Sequence, residues 1–398
     1  MTGRGWTVLG VGAAFWLTGR LLGLRELIQI AIVLSILCLA SVMWMRIGRR
    51  RIEASRTFSH GWVHRGEEVE ISVRIENPDP VPTPSLVVTQ KFPGQEPESA
   101  YLPPIPPRAE DVLLSSFRPK RRGRFLMEPF QVTLSDPFGL SMHKREFRDQ
   151  GMLLVYPRVE HLPLPKAAAG RYRGEKTRRI PTPSGEDFYG IRNYETGDDP
   201  RRVHWLSTAR RGHLMVREDE AGGRQVATIF IDDRESVHGK SEEKFERTVE
   251  AAASVVDLYA RQSYSLRLVR AGGPGVPLGK GATQYNRIME VLATITPGRG
   301  KAEQFRAIGR GRRDGALIVA AGDLQPDELR ILGRAGGGYT EAIVILHPTK
   351  GAREVEAAAA RTFLSRFGIT VISPAEDESL AEAWSRSILG VMWAGSVQ

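Results

Sequence analysis

The run Leu27 to Met45, LIQIAIVLSILCLASVMWM, holds nineteen consecutive residues without a charge. At 1.5 Å per residue it makes about 28 Å of helix, enough to cross a hydrocarbon core of about 30 Å. A helix that is apolar all round offers water no face, so the run predicts a transmembrane helix. Cys38, the one cysteine of the chain, falls inside it. A single thiol builds no disulfide framework and no multi-cysteine zinc site. Upstream, Trp6 to Thr18 is also uncharged until Arg20 interrupts, and an arginine at a helix end can snorkel to the interface. A signal peptide would lead through small residues to a polar mature start, whereas here a second span follows. The pattern predicts a two-helix hairpin with Gly19 to Glu26 as its turn. Arg46, Arg49, Arg50 and Arg51 crowd the end of the second span, while Arg20 and Arg25 in the turn are offset by Glu26. The positive-inside rule then gives a two-pass protein of the cell membrane with its bulk in the cytoplasm.

The rest of the chain is globular in composition. Hydrophobic residues make up 41% and charged residues 26%, which excludes a disordered chain. The 56 Lys and Arg exceed the 46 Asp and Glu by ten, a surplus that suits a surface beside anionic lipid. Four regions are expected: a hairpin over 1–50, a β domain over 51–160, a linker and signature segment over 161–225, and an α/β domain over 226–398. In the second, Val69 to Ile75 alternates apolar and polar residues at the period of a half-buried strand. Leu86 to Thr89, Val112 to Phe117, Gly123 to Met127 and Gln131 to Leu134 are further short strands between proline-rich stretches, a spacing that predicts an all-β sandwich. Asp136 to Gly139 reads as a turn before another strand. Arg118, Lys120, Arg121, Arg122 and Arg124 form a basic run, read either as a solvated turn or as a lipid-facing loop.

In the fourth region strands alternate with helices. Val226 to Ile231, Ser265 to Val269, Gly315 to Ala321, Glu341 to Leu346 and Ile369 to Ile372 are the strands. Phe245, Val249, Ala252, Val256 and Tyr259 give the helix from Ser241 to Arg261 one apolar stripe. Such alternation predicts a doubly wound, mostly parallel sheet, with sites outside the carboxyl ends of its strands. Two of those ends carry acids, Asp232 with Asp233, and Asp323.

The densest cluster of charges, aromatics and glycines runs from Ser184 to Arg211. Gly185, Glu186, Asp187, Phe188, Arg192, Tyr194, Gly197, Asp198, Arg201, Trp205, Ser207, Ala209 and Arg210 fall in an order and spacing that resembles the signature of the DUF58 family. The residues also suggest a physical role. Asp198 suits a bidentate grip from Arg192, Arg201 or Arg210, with Trp205 and Tyr194 covering the pair. Either this clasp docks two domains or it binds a partner.

The resemblance implies more. The last region is expected to be similar to a von Willebrand factor A domain, whose adhesion site binds Mg2+ through Asp-x-Ser-x-Ser after the first strand. Asp232 and Ser236 keep their places here, and Asp323 is the candidate distal acid. Arg234 stands where the first serine belongs, and arginine has no lone pair to offer a metal. The expected state is therefore a degenerate site without a cofactor. The resemblance also implies membrane lipid and a MoxR-type AAA+ ATPase as partners, with a protein client.

Enzyme readings find little support in the residues. Gly272 to Gly281 has Pro274 where a phosphate-binding loop needs glycine and Gly281 where it needs Ser or Thr. No Gly-x-Ser-x-Gly elbow exists. Ser207 between His204 and His213 is the one hydrolase candidate. Basic segments without interleaved aromatics do not indicate nucleic acid. The expectation is a non-enzymatic, membrane-anchored interaction module, an adaptor or co-chaperone. The alternative is an extracytoplasmic adhesion or envelope-binding protein with a metal-dependent site and the opposite topology.

Overall fold

The computed structural model describes residues 1–47, 52–148, 151–163, 188–194, 203–219, 225–239, 241–298, 308, 315–347, 352–375 and 377–394. The chain divides into two compact units, 1–157 and 158–398.

The first unit opens with helices α1 (Gly3–Leu22) and α2 (Arg25–Ile47). Thr2 caps α1 by accepting from the Gly5 amide, and Gly23 ends it at φ 69°. The expected turn thus shortens to Gly23 and Leu24. Among the described helices, α2 alone is long and apolar enough to cross a membrane, over Arg25–Arg46. Helix α1 falls short of that standard because Arg4, Arg20, two threonines and several glycines dilute its apolar residues. The two helices meet along small residues. Gly5, Gly12 and Gly19, seven apart, are buried on α1. Ala31, Cys38 and Met45 repeat that spacing on α2 and are buried too. Matching heptad spacing makes a seam, and glycine lets the backbones approach. A β-carbon on Gly19 would stand 2.8 Å from Ile28 Cγ1. The outward faces carry Trp6, Trp16, Leu21, Val33, Ile36 and Leu39, all exposed.

Three sheets follow. Strands β1 (Glu53–Phe58), β3 (Val69–Glu76) and β6 (Glu110–Phe117) form an antiparallel sheet in that order. Strands β5 (Glu98–Leu102), β4 (Ser85–Gln90), β8 (Phe130–Ser135) and β9 (Met142–Phe147) form a second. Strands β2 (Trp62–His64), β10 (Met152–Tyr156) and β7 (Gly123–Leu126) form the third. The alternation in β3 does what its period demands, burying Val69, Ile71, Val73 and Ile75. Val73 and Ile75 pack with Leu86, Val88, Phe130 and Val132. Val69 and Ile71 pack with Phe92, Phe117, Leu153 and Val155 in a second cluster.

The helix pair is built into the first of these cores. Met45, in the last turn of α2, and Ile52 lie within it. At the other helix end, the Thr2 amide donates to Leu140 O at 2.9 Å and Thr2 Oγ1 to Gly139 O at 2.7 Å. The turn they meet is the expected one: the Asp136 carboxylate accepts from the Phe138 and Ser141 amides, and Gly139 turns the chain at φ 67°. The basic run Arg118 to Arg124 lies beyond the second core cluster, where Phe117 faces Val69. Arg118 pairs there with Glu68 at 3.3 Å.

The second unit contains an antiparallel ribbon, β11 (Phe188–Asn193) with β12 (Met215–Asp219), and a short helix α3 (Trp205–Arg211) between them. After it comes a six-stranded sheet of β13 (Val226–Ile231), β14 (Ser265–Arg270), β15 (Val276–Gly279), β16 (Ala316–Ala321), β17 (Glu341–Leu346) and β18 (Thr370–Ile372). Its order is β15-β14-β13-β16-β17-β18, parallel except for β15 at the edge. The connecting helices are α4 (Glu235–His238), α5 (Glu242–Arg261), α6 (Ala282–Thr294), α7 (Pro326–Gly336), α8 (Ala352–Ser365) and α9 (Leu380–Ala394). The predicted stripe of α5 is buried throughout. On another part of the sheet, Phe230, Leu317, Val319 and Val344 pack with Leu332, Ala335, Ala360 and Leu364. Gly272 to Gly281, which fails as a phosphate-binding loop, contains β15, because Gly275 lets the chain pass against the Leu268 backbone more closely than any β-carbon would allow.

The chain starts this sheet at its centre, winds outward through β14, then returns to β16 and winds the other way. The connections therefore diverge between β13 and β16, the place where such sheets open a crevice at their carboxyl ends. Asp232 and Asp323 follow these two strands.

Candidate functional site

The rim at that switch point is assembled from charges out of contact with water. Asp232 is held beside β16 by its amide, which donates to Ala320 O at 2.9 Å. Its carboxylate is 0% exposed. Arg234 grips it twice, Nε to Oδ1 at 2.8 Å and Nη2 to Oδ2 at 2.6 Å. The third guanidinium nitrogen, Nη1, donates to Glu328 Oε1 at 2.6 Å. Glu328 is itself fixed as the third residue of α7, where its Oε2 accepts from the Gln325 amide at 2.9 Å. Arg234 therefore ties the end of β13 to the start of α7. A second tie runs from Lys244 in the first turn of α5 to Asp323, Nζ to Oδ2 at 2.6 Å. Asp233, also buried, accepts from Arg270 Nη2 at 2.8 Å and from the Gly272 amide.

Two histidines complete the rim. His238 Nε2 meets the Asp232 carbonyl oxygen, and burial holds its pKa below the ordinary value. Because a carbonyl only accepts, Nε2 carries the proton. His347 follows β17, is buried, and has its pKa pushed down to about 3, first by desolvation and then by Arg247, His238 and Lys244. Both are thus neutral at physiological pH. Burial raises the Asp232 carboxyl, and the Arg234 hydrogen bonds pull it back. Burial works against the charge on Arg234, yet its bonds to Asp232 and Glu328 outweigh that and raise it.

This donor set does not fit a hard divalent cation, which is held through carboxylate oxygens not already paired with a protein cation. Asp232 and Asp323 are engaged by cations, Ser236 is exposed, and Asp233 is taken by Arg270. Among the described residues no three metal-ligating side chains converge. His60 and His64, four apart, run into and along strand β2 and not around a helix, and His64 Nδ1 lies 2.8 Å from Pro157 O.

The signature segment is described in part. Gly185, Glu186, Asp187, Gly197, Asp198 and Arg201 lie outside the described residues. Phe188 and Arg192 sit on β11, Arg192 paired in register with Val216. The Tyr194 amide donates to Leu214 O at 2.9 Å, and the His204 amide to Met215 O at 2.8 Å. The first bond continues the ribbon; the second, with the Met215 amide donating to Thr208 Oγ1 at 3.0 Å, holds α3 against β12. His204 caps α3, its Nδ1 accepting from the Ser207 amide at 3.3 Å and lying 3.0 Å from Ser207 Oγ. A serine and a histidine do touch, but the contact is that of a helix cap on half-exposed residues. His213 instead meets Asn193 Oδ1 at 3.0 Å. Trp205, expected to cover an ion pair, is 69% exposed, with Leu206 and Leu214 exposed beside it and Arg210 exposed further along the helix.

Sequence reasoning found Asp232, Ser236 and Asp323 but missed Lys244, Arg270, His238, Glu328 and His347. One of these was detectable: Gln325-Pro326-Asp327-Glu328 is a helix start with an acid at its third position. The others are brought in from separate elements.

A family profile described as "Protein of unknown function DUF58" matches residues 190–351, under half of the chain. No curated protein matches it. Among solved structures, the CARDB domain of the PF1109 protein from Pyrococcus furiosus, in complex with di-metal ions, is 16% identical over 26% of this chain and 92% of that one, with a TM-score of 0.19. The alkylpurine DNA glycosylase AlkC of Pseudomonas fluorescens is 16% identical over 30% of this chain and 39% of that one, at a TM-score of 0.15. Likenesses at this level carry no conclusion about fold or activity.

Proposed function

We propose that this chain is a membrane-anchored, non-catalytic protein-interaction module, an adaptor or co-chaperone for a MoxR-type AAA+ ATPase. The observation that carries this reading is the exposed Trp205 and Leu206 on α3, inside the stretch that the DUF58 profile matches. A tryptophan displayed on a helix fixed by a cap and by its ribbon is the kind of rigid aromatic anchor that protein partners bury. The rim of the sheet supports the same reading, because its carboxylates Asp232, Asp233 and Asp323 are each engaged by a cation of the chain itself. The ATPase itself is named by the family resemblance, as are the protein client and the von Willebrand factor A-like identity of the sheet domain.

Anchoring is supported by α2 and by the apolar outward faces of both helices. Helix α1 also meets the demand a bilayer makes on polar groups. Thr7 Oγ1 donates to Arg4 O at 2.8 Å and Thr18 Oγ1 to Ala14 O at 2.9 Å, so these hydroxyls need no water. Both outer ends of the pair attach to the β part, which suits a two-pass hairpin whose turn lies across the bilayer. The arginines after α2 argue for a cytoplasmic bulk and for contact with anionic lipid.

The test uses the full chain, tagged and solubilised in detergent. Wild type is expected to recover an AAA+ ATPase, and Trp205→Ala with Leu206→Ala to lower recovery by about tenfold or more, the effect of removing one hot spot. Failure of wild type to recover any ATPase overturns the proposal.

A further inference from the structure

We propose that Arg234 and Lys244 are resident cations of the sheet rim, doing there the charge-balancing and loop-joining work of a divalent metal, so that the rim holds together without one. Four segments meet at this rim: the end of β13, the end of β16, and the first turns of α5 and α7. A metal between such loops would draw their carboxylates together. Arg234 already does so for Asp232 and Glu328, and Lys244 for Asp323. Short backbone bonds finish the job, with the Asp323 amide donating to Val237 O at 3.0 Å.

The lone pairs bear this out. Asp232 Oδ1 accepts from the Arg234 amide at 3.2 Å as well as from its Nε at 2.8 Å, so both of its acceptor positions are filled. Oδ2 faces Nη2. To enter, a divalent ion would have to displace a guanidinium whose side chain is 8% exposed and which would then stand beside it as a like charge. Arginine suits the role because its planar fork matches a carboxylate and keeps its charge at any physiological pH. The inference stands on the rim alone and survives if the ATPase reading fails.

Calorimetric titration of Mg2+ and Mn2+ into the full chain in detergent tests it. Wild type is expected to give no saturable heat and no change in melting temperature. Arg234→Ser removes the guanidinium, restores a hydroxyl at that spacing, and is expected to gain Mn2+ binding at least about tenfold tighter than wild type, lost again on adding Asp232→Asn. If Arg234→Ser does not fold, the wild-type titration decides. Saturable binding by wild type that Asp232→Asn abolishes overturns the proposal. Binding that Asp232→Asn leaves intact takes place outside the rim and, like no binding at all, supports it.

Discussion

The helix pair and the sheet rim satisfy their polar side chains in opposite ways. In the helices each of Thr7, Thr18 and Ser35 donates its hydroxyl to a carbonyl three or four residues earlier in its own helix. In the rim, Arg234 reaches across 94 residues to Glu328, and Lys244 across 79 to Asp323. Local satisfaction survives as long as the helix does. Distant satisfaction exists only when the whole sheet has formed. The difference predicts that polar substitutions in the helices are mild and that those in the rim are severe.

Among substitutions the largest effect is expected from Asp232→Ala. It removes two of the three hydrogen-bonded grips on a buried guanidinium, and breaking such a pair from one side costs about 3 kcal/mol. Chemical denaturation of the full chain in detergent measures it, and a loss below about 1 kcal/mol would mean the rim is wetter than its geometry implies. Next is acid. The pKa of His347 is about 3 in the folded chain against an ordinary 6.5, so between those values the unfolded chain binds a proton the folded chain refuses. Stability is then full above pH 6.5 and falls as pH drops toward 3, by up to about 1.4 kcal/mol per pH unit for this site. His238 adds in the same direction. His347→Gln should flatten the slope, and an unchanged slope places the acid sensitivity elsewhere. The smallest effect belongs to Thr18→Val in α1. It exchanges a locally bonded hydroxyl for a methyl and should shift the melting point of the detergent-solubilised chain by less than about 0.5 kcal/mol requires. A large loss would show that Thr18 reaches beyond its own helix and would erase the contrast.

Much of the architecture was legible because it is written in local periods. The uncharged run gave α2, the period of two gave β3, and the stripe from Phe245 to Tyr259 gave α5. Where the local signal was weak, strands went unseen. The sequence of β5, ESAYL, carries no apolar alternation, and it forms as the edge partner of β4. β15 needs the Leu268 backbone at its side. The candidate site was half legible. Asp232 and Asp323 follow apolar strands and so announce a rim, but nothing near residue 234 in sequence says that its guanidinium will find Glu328. Trp205 was read as the cover of an ion pair of Asp198, which lies outside the described residues; whether an aromatic faces in or out of a seven-residue helix is decided by what that helix lies against.

The amino-acid sequence by itself determined the elements and their order, an apolar helix pair, a β-rich region and an alternating α/β region, because hydrophobic period and helix length act over a few residues. Only the tertiary structure decided which charges meet. Arg234 is a mismatch to a metal-binding pattern when read along the chain. Folded, it becomes the counter-ion of two carboxylates, because β16 pairs in parallel beside β13 and so brings the start of α7 to the end of β13, and a buried charge persists only where the fold supplies its opposite.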